Sequence, residues 1–129
     1  MRNVKLWLDD LRPVPAGWTG ARSVNEAIAT LLGAQEDGVE VTHASLDHDL
    51  GEFSSDGGDG ATLTDWMAFH DTWPTQGLRI HSANPVGVAT MLATVDRYAP
   101  YRTRTGSHRG TWDAAELDAL FVHVATGGK

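Results

Sequence analysis

The stretch Ser45-Leu46-Asp47-His48-Asp49-Leu50-Gly51 (SLDHDLG, 45–51) ends an apolar run on two carboxylates and an imidazole, then enters a glycine-rich segment. Charged side chains are rarely buried without partners, so core packing does not account for this triplet. Two other apolar runs end in the same way. LWLDD (6–10) delivers Asp9 and Asp10, and LRIHSANP (78–85) delivers His81, Ser82 and Asn84. In an open α/β sheet the C-terminal strand ends face the ligand crevice. Three runs that each close on acid, imidazole or hydroxyl predict one site at one edge of a parallel sheet.

On the N-terminal side of this stretch, Val4 to Leu8 reads as a buried strand followed by a Pro-rich turn (Arg12-Pro13-Val14-Pro15-Ala16-Gly17). Ser23 with Glu26 three residues on forms a capping box, and the helix it opens buries Val24, Ala27, Ile28, Leu31 and Leu32 and stops at Gly33. Val39 to Thr42 and Ala44 to Leu46 read as two further strands. Residues 51–60 (GEFSSDGGDG) form an acidic loop with four glycines, and Thr62 or Thr64 starts the next helix. Leu78 to Ile80 is the fourth strand. Pro85 sits in the first turn of a helix that runs to about Tyr98 and presents Val88, Met91, Leu92 and Val95 on one stripe. After a polar stretch (101–112), Asp113 caps a last amphipathic piece, and residues 121–124 extend it or form a fifth strand. The pattern predicts a single α/β domain over 1–129, a three-layer sandwich with a mainly parallel sheet, its core over about 3–99 and an Arg-containing loop and C-terminal element over 100–129.

The chain has 129 residues, 41% of them hydrophobic, which suits an ordinary core and excludes general disorder. It has no cysteine, hence no disulfide, thiolate nucleophile or Cys-type zinc site. No apolar run reaches the length of a membrane span, and the N-terminus enters a strand directly, so the expectation is a cytoplasmic protein without membrane contact. A net charge of −7 argues against duplex DNA as a partner. One strip departs from that balance: Arg97, Arg102, Arg104 and Arg109, with His108, occur without a carboxylate between 97 and 109. It is read either as a solvated loop or as a segment that grips phosphate.

Adjacent carboxylates repel unless a cation or proton lies between them, so Asp9 and Asp10, beside Asp47 and Asp49, predict a divalent metal, Mg²⁺ or Mn²⁺. The structural alternative has Asp10 capping the turn and pairing with Arg12. Along a continued strand Asp47 and Asp49 share one face and His48 takes the other. Ser82 and Asn84 can bind phosphate oxygens near the first amides of the following helix, or cap that helix. His48 and His81 supply two imidazoles, which titrate near neutrality and suit general acid and base in phosphodiester cleavage. His43, His70 and His123 read as structural or surface groups.

The acidic pair Asp9-Asp10, Asp47 after the third strand, Gly57-Gly58-Asp59-Gly60 before a helix and Ser82-Ala83 after the fourth strand resemble the receiver (flavodoxin-like) domain of response regulators. That resemblance implies Asp9, Asp10 and Asp47 for metal, Asp47 as phospho-acceptor and Ser82 as the switch hydroxyl. The chain departs from it in having no lysine between residues 6 and 128, and Leu50-Gly51 where receivers usually carry proline. LWLDDLRPVPAGW, SLDHDLG and HSANPVG are more similar to a divergent group, the cyclic-phosphate processing receiver-like domain.

This second resemblance implies an enzyme acting on the cyclic phosphate of a nucleotide or RNA end. On it, Asp9, Asp10, Asp47 and Asp49 hold the metal, His48 and His81 act with Asp47 in catalysis, and Ser82, Asn84, Arg102, Arg104 and Arg109 bind substrate. A homodimer is a further expectation. The alternative is a non-enzymatic receiver or pseudo-receiver switched by phosphorylation at Asp47 or by a bound nucleotide.

Overall fold

A computed structural model of the chain describes residues 3–100 and Thr103. The elements run β1 (Asn3–Leu8), β2 (Thr19–Ala21), α1 (Val24–Asp37), β3 (Glu40–Leu46), a 3-10 turn (Gly51–Ser55), α2 (Gly60–Phe69), β4 (Gly77–Ile80) and α3 (Pro85–Tyr98). All strand pairs are parallel, in the order β2-β1-β3-β4. That is the start of the flavodoxin-like order, and the fold is receiver-like. From β1 the chain steps outward to β2, then returns past β1 to β3, so the direction of travel reverses between β1 and β3. Ligands of open parallel sheets bind beside such a reversal, at the C-terminal strand ends. Residues 101–102 and 104–129, with the Arg102, Arg104, Arg109 and 113–124 expectations, lie outside the described residues.

Right-handed crossovers place α1, α2 and α3 on one face of the sheet. There Leu6, Leu8, Ala44, Leu46 and Leu78 of the strands pack against Val24, Ala27 and Leu31 of α1, Leu63 and Met67 of α2, and Met91 and Val95 of α3. Period-two alternation sends Trp7 and its register partner Ser45 to the opposite face, and both are fully buried. The link from β1 to β2 crosses that side as an irregular loop, with Arg12 and Pro15 buried in it. It is shorter than the roughly dozen residues a parallel crossover ordinarily needs.

The structure departs from several sequence expectations. The strands expected at 39–42 and 44–46 are one strand, β3, because pairing with β1 continues through a register shift between Val4 and Lys5, with His43 opposite Lys5 and Gly77. β2 has no counterpart among the expected strands; three residues with a central glycine carry no hydrophobic alternation. Helix α1 does not stop at Gly33 but at Gly38, whose φ of 68° provides the left-handed cap and whose amide returns to the Ala34 and Gln35 carbonyls. Leu32, expected in the core, is instead half exposed, about 100° round the helix from buried Leu31. α2 is capped by Asp59 rather than Thr62 or Thr64, its carboxylate accepting the Thr62 amide at 3.3 Å. The Ser23 cap is as expected, accepting the Glu26 amide at 3.1 Å. Pro85 opens α3 behind its cap Asn84, which accepts the Gly87 amide at 3.0 Å.

Candidate functional site

Three backbone hydrogen bonds build the site. The Asp9 amide donates to the Ala21 carbonyl (3.0 Å), the Asp47 amide to Leu8 (2.9 Å) and the His81 amide to Leu46 (3.0 Å). Each residue therefore continues its strand by one position and keeps the strand's alternation. Leu8, Leu46 and Ile80 face the helices, so Asp9, Asp47 and His81 all face the other way, beside Trp7 and Ser45. Asp47 is 0% exposed and His81 5%.

The side chains are closely engaged. Asp9 Oδ1 accepts the amides of Leu11 (2.8 Å) and Arg12 (2.9 Å), while Oδ2 accepts Arg12 Nη1 (3.2 Å) and His81 Nε2 (2.9 Å). Arg12 Nη1 also donates to the His81 carbonyl at 2.9 Å. The His81 ring lies flat on Trp7, with centroids 4.1 Å apart and planes 6° from parallel. Its Nδ1 is 2.7 Å from Ser45 Oγ. Burial alone would raise the Asp9 carboxyl, but the hydrogen bonds from His81, Arg12 and Leu11 outweigh it and hold Asp9 well below the usual carboxylate range. Burial lowers the His81 imidazole more than Asp9 raises it. The resting state is thus an ionised Asp9 and a neutral His81. A carboxylate only accepts, so Nε2 carries the proton and Nδ1 accepts the Ser45 hydroxyl.

Asp9, Asp47 and His81 each offer a ligand atom, all within 4.8 Å of one another. This buried group could hold a metal ion. Two carboxylates and one imidazole suit a divalent ion of borderline character; the carboxylates alone suit a harder one. Among the residues expected at a metal, Asp10 and Asp49 stand outside this group. Asp10 Oδ2 lies over Gly51, 2.8 Å from where a Cβ would be. Asp49 Oδ1 pairs with His48 Nδ1 at 2.8 Å and accepts Asn84 Nδ2 at 3.1 Å. Asp9 caps the turn and pairs with Arg12.

The structure does not bring His48 and His81 together. His48 points to the helix side, where its Nε2 is 3.4 Å from Asp59 Oδ2 and its ring packs on Gly87 so closely that a Cβ there would be 2.4 Å from Cγ. Its side chain keeps 16% exposure. One imidazole is thus sealed beneath the sheet edge and the other stands at the helix N-termini, with the Asp47–His48 peptide between them. Ser82 Oγ accepts the Asn84 amide at 3.2 Å, closing the turn into α3. Asn84 both caps that helix and donates to Asp49.

Sequence reasoning does not pick out Ser45, Asp59 or Arg12 as site residues. Ser45 is legible in principle, since alternation places it on the face of Asp47 two residues later. Asp59 and Arg12 reach their partners through loops that no periodicity describes.

No curated protein matches this chain. Among solved structures it is similar to a signal receiver domain of an HD domain-containing protein from Pseudomonas fluorescens Pf-5, at 19% identity over 98% of this chain and 97% of that one, with a TM-score of 0.49. Residues 4–97 match the family model described as the cyclic-phosphate processing receiver domain. That span runs from β1 through the body of α3 and contains every side chain that builds the site above, and on this match the chain belongs to the cyclic-phosphate processing receiver domain family.

Proposed function

We propose that the chain is a metal-dependent phosphoesterase that opens a cyclic phosphate of a nucleotide or RNA end. The observation that carries this reading is the buried Asp9–Asp47–His81 group, its ligand atoms within 4.8 Å of one another at the C-terminal sheet edge. Asp9, Asp47 and His81 would hold Mn²⁺ or Mg²⁺, with the imidazole favouring Mn²⁺. The ion's contribution when bound is to polarise the phosphoryl group and neutralise its charge.

The chain's own residues supply the rest. Arg12 compensates the buried Asp9 charge and fixes the loop after β1 through the His81 carbonyl. Without an ion, His81 has both nitrogens engaged and its ring stacked on Trp7; to ligate one it would take the other tautomer, Nδ1–H donating to Ser45 Oγ and Nε2 turning its lone pair from Asp9 to the ion. Proton transfer falls to His48. Asp49 fixes its Nδ1 and is itself held by Asn84, which leaves Nε2, facing Asp59, as the nitrogen that moves a proton.

The test is incubation of the purified protein with 2′,3′- and 3′,5′-cyclic nucleotides and cyclic oligonucleotides, in Mn²⁺ and in EDTA. Ring opening of one of these in Mn²⁺, lost in EDTA and in His48→Ala, is expected. No turnover of any substrate, with Asp47 instead labelled by a small phosphodonor, would assign the chain to the phosphorylation-switch alternative.

A further inference from the structure

Beside the buried group, on the β2 side, lies a cleft of about 420 Å³. That is within the roughly 300–1,000 Å³ usual for small-ligand sites. It shares Asp9 with the metal-competent group, but Asp47 and His81 do not line it. One wall is apolar and open to solvent: Leu11 is 76% exposed and Val14 47%, with Pro13 between them. The lining also carries Asp10, Arg22, just before the α1 cap Ser23, and Glu26 in the first turn of α1. The Glu26 carboxylate is tied down, accepting the Arg22 amide at 3.1 Å.

Among the described residues the Arg22 guanidinium has no hydrogen-bond or ion-pair partner. Its position is distinctive among the described cations. Arg12 is buried on Asp9, Lys5 and Arg79 lie within strands, and Arg97 sits over Tyr98 at the far end of α3. At the C-terminal sheet edge, Arg22 is therefore the one described cation whose charge is uncommitted. Arg22 follows β2 and Asp47 follows β3, with β1 between them. Two strand spacings, about 10 Å in all, separate those ends. Because Asp47 and His81 do not line the cleft, an anion held by Arg22 inside it lies beside, not on, the Asp47 position.

Building on the phosphoesterase reading, we propose that this cleft is a second subsite: Arg22 grips a non-reacting phosphate, the Leu11–Val14 wall covers a base, and the substrate is an oligonucleotide rather than a cyclic mononucleotide. A guanidinium suits this task because its planar fork binds phosphate bidentately and stacks on aromatic faces.

The experiment is isothermal titration in EDTA with 2′,3′-cyclic AMP, a diadenosine dinucleotide ending in the same cyclic phosphate, and cyclic di-AMP. One or both dinucleotides should bind about tenfold or more tightly than the mononucleotide, the scale of one charged hydrogen-bonded contact. Arg22→Ala should erase that difference and leave mononucleotide binding unchanged, and Arg22→Lys should keep part of it. The linear and cyclic probes separate an RNA end from a cyclic dinucleotide as the source of the second phosphate. A wild type without dinucleotide preference, or a preference that survives Arg22→Ala, overturns the proposal. Dinucleotide preference lost in Arg22→Ala without turnover in Mn²⁺ would keep the subsite and refute hydrolysis. Turnover of mononucleotide and dinucleotides alike, insensitive to Arg22→Ala, would do the reverse.

Discussion

Asp9 is the residue on which the buried half of the site depends. Its two oxygens accept four hydrogen bonds, from two amides, Arg12 and His81. Asp9→Asn keeps the shape but strands the Arg12 charge, and removing one partner of a buried ion pair costs about 3–5 kcal/mol. Urea denaturation should show a loss of that size. The same cluster sets an acid sensitivity. His81 has a folded pKa below its unfolded value near 6.5 because burial disfavours the imidazolium, so below about pH 6.5 the unfolded chain binds more protons than the native one. Its contribution is complete above that pH and declines as pH falls, at most about 1.4 kcal/mol per pH unit. Asp9, also lowered, adds a second loss beneath the ordinary carboxylate value. Urea midpoints in EDTA should therefore fall from pH 7.5 to 5.5, and the fall should be weaker in His81→Gln. The sequence makes Asp9, Asp47 and His81 visible because each ends an apolar run. It cannot show that Ser45 and Asp9 flank the same imidazole, since those contacts span 36 and 72 residues.

At the level of elements, glycines distinguish what the helices tolerate from what the site requires. Gly33 lies inside α1, and a Cβ added there would meet nothing within 4 Å, so Gly33→Ala should stabilise the protein by up to about 1 kcal/mol, read as a higher urea midpoint. Gly87 is also helical, yet a Cβ there would meet the His48 ring at 2.4 Å. Gly87→Ala should reverse the usual helix preference, costing about 1–3 kcal/mol as an overpacked contact, and should lower turnover by displacing His48. Ser23, Pro85 and the Gly-rich loop mark helix starts in the sequence because caps are local chemistry. The end of α1 is misplaced by sequence because a glycine before a C-cap looks the same as a glycine within the last turns. β2 is invisible there because a three-residue edge strand owes its pairing to β1, not to its own side chains.

For the molecule as a whole, one mechanism places the site: three strands continued by one residue each, beside the reversal in strand order. The sequence discloses the parallel sheet and its polar edge, because buried strands and their polar ends alternate simply. It does not disclose that the two histidines part, one to each side of the sheet, because that depends on where alternation breaks after Asp47. Among the described residues no helix is long and apolar enough to cross a membrane. If Asp9, Asp47 and His81 form a metal site, Mn²⁺ should raise the melting temperature of the wild type and not that of Asp47→Asn. The decisive measurement is phosphorus NMR of a 2′,3′-cyclic-phosphate-terminated dinucleotide incubated with wild type, Asp47→Asn and His48→Ala in Mn²⁺. The account predicts conversion of the cyclic phosphate to a monoester by the wild type, with Asp47→Asn and His48→Ala each slower by at least about a hundredfold. Conversion at the wild-type rate by both folded variants, or none by the metal-loaded wild type, would contradict it.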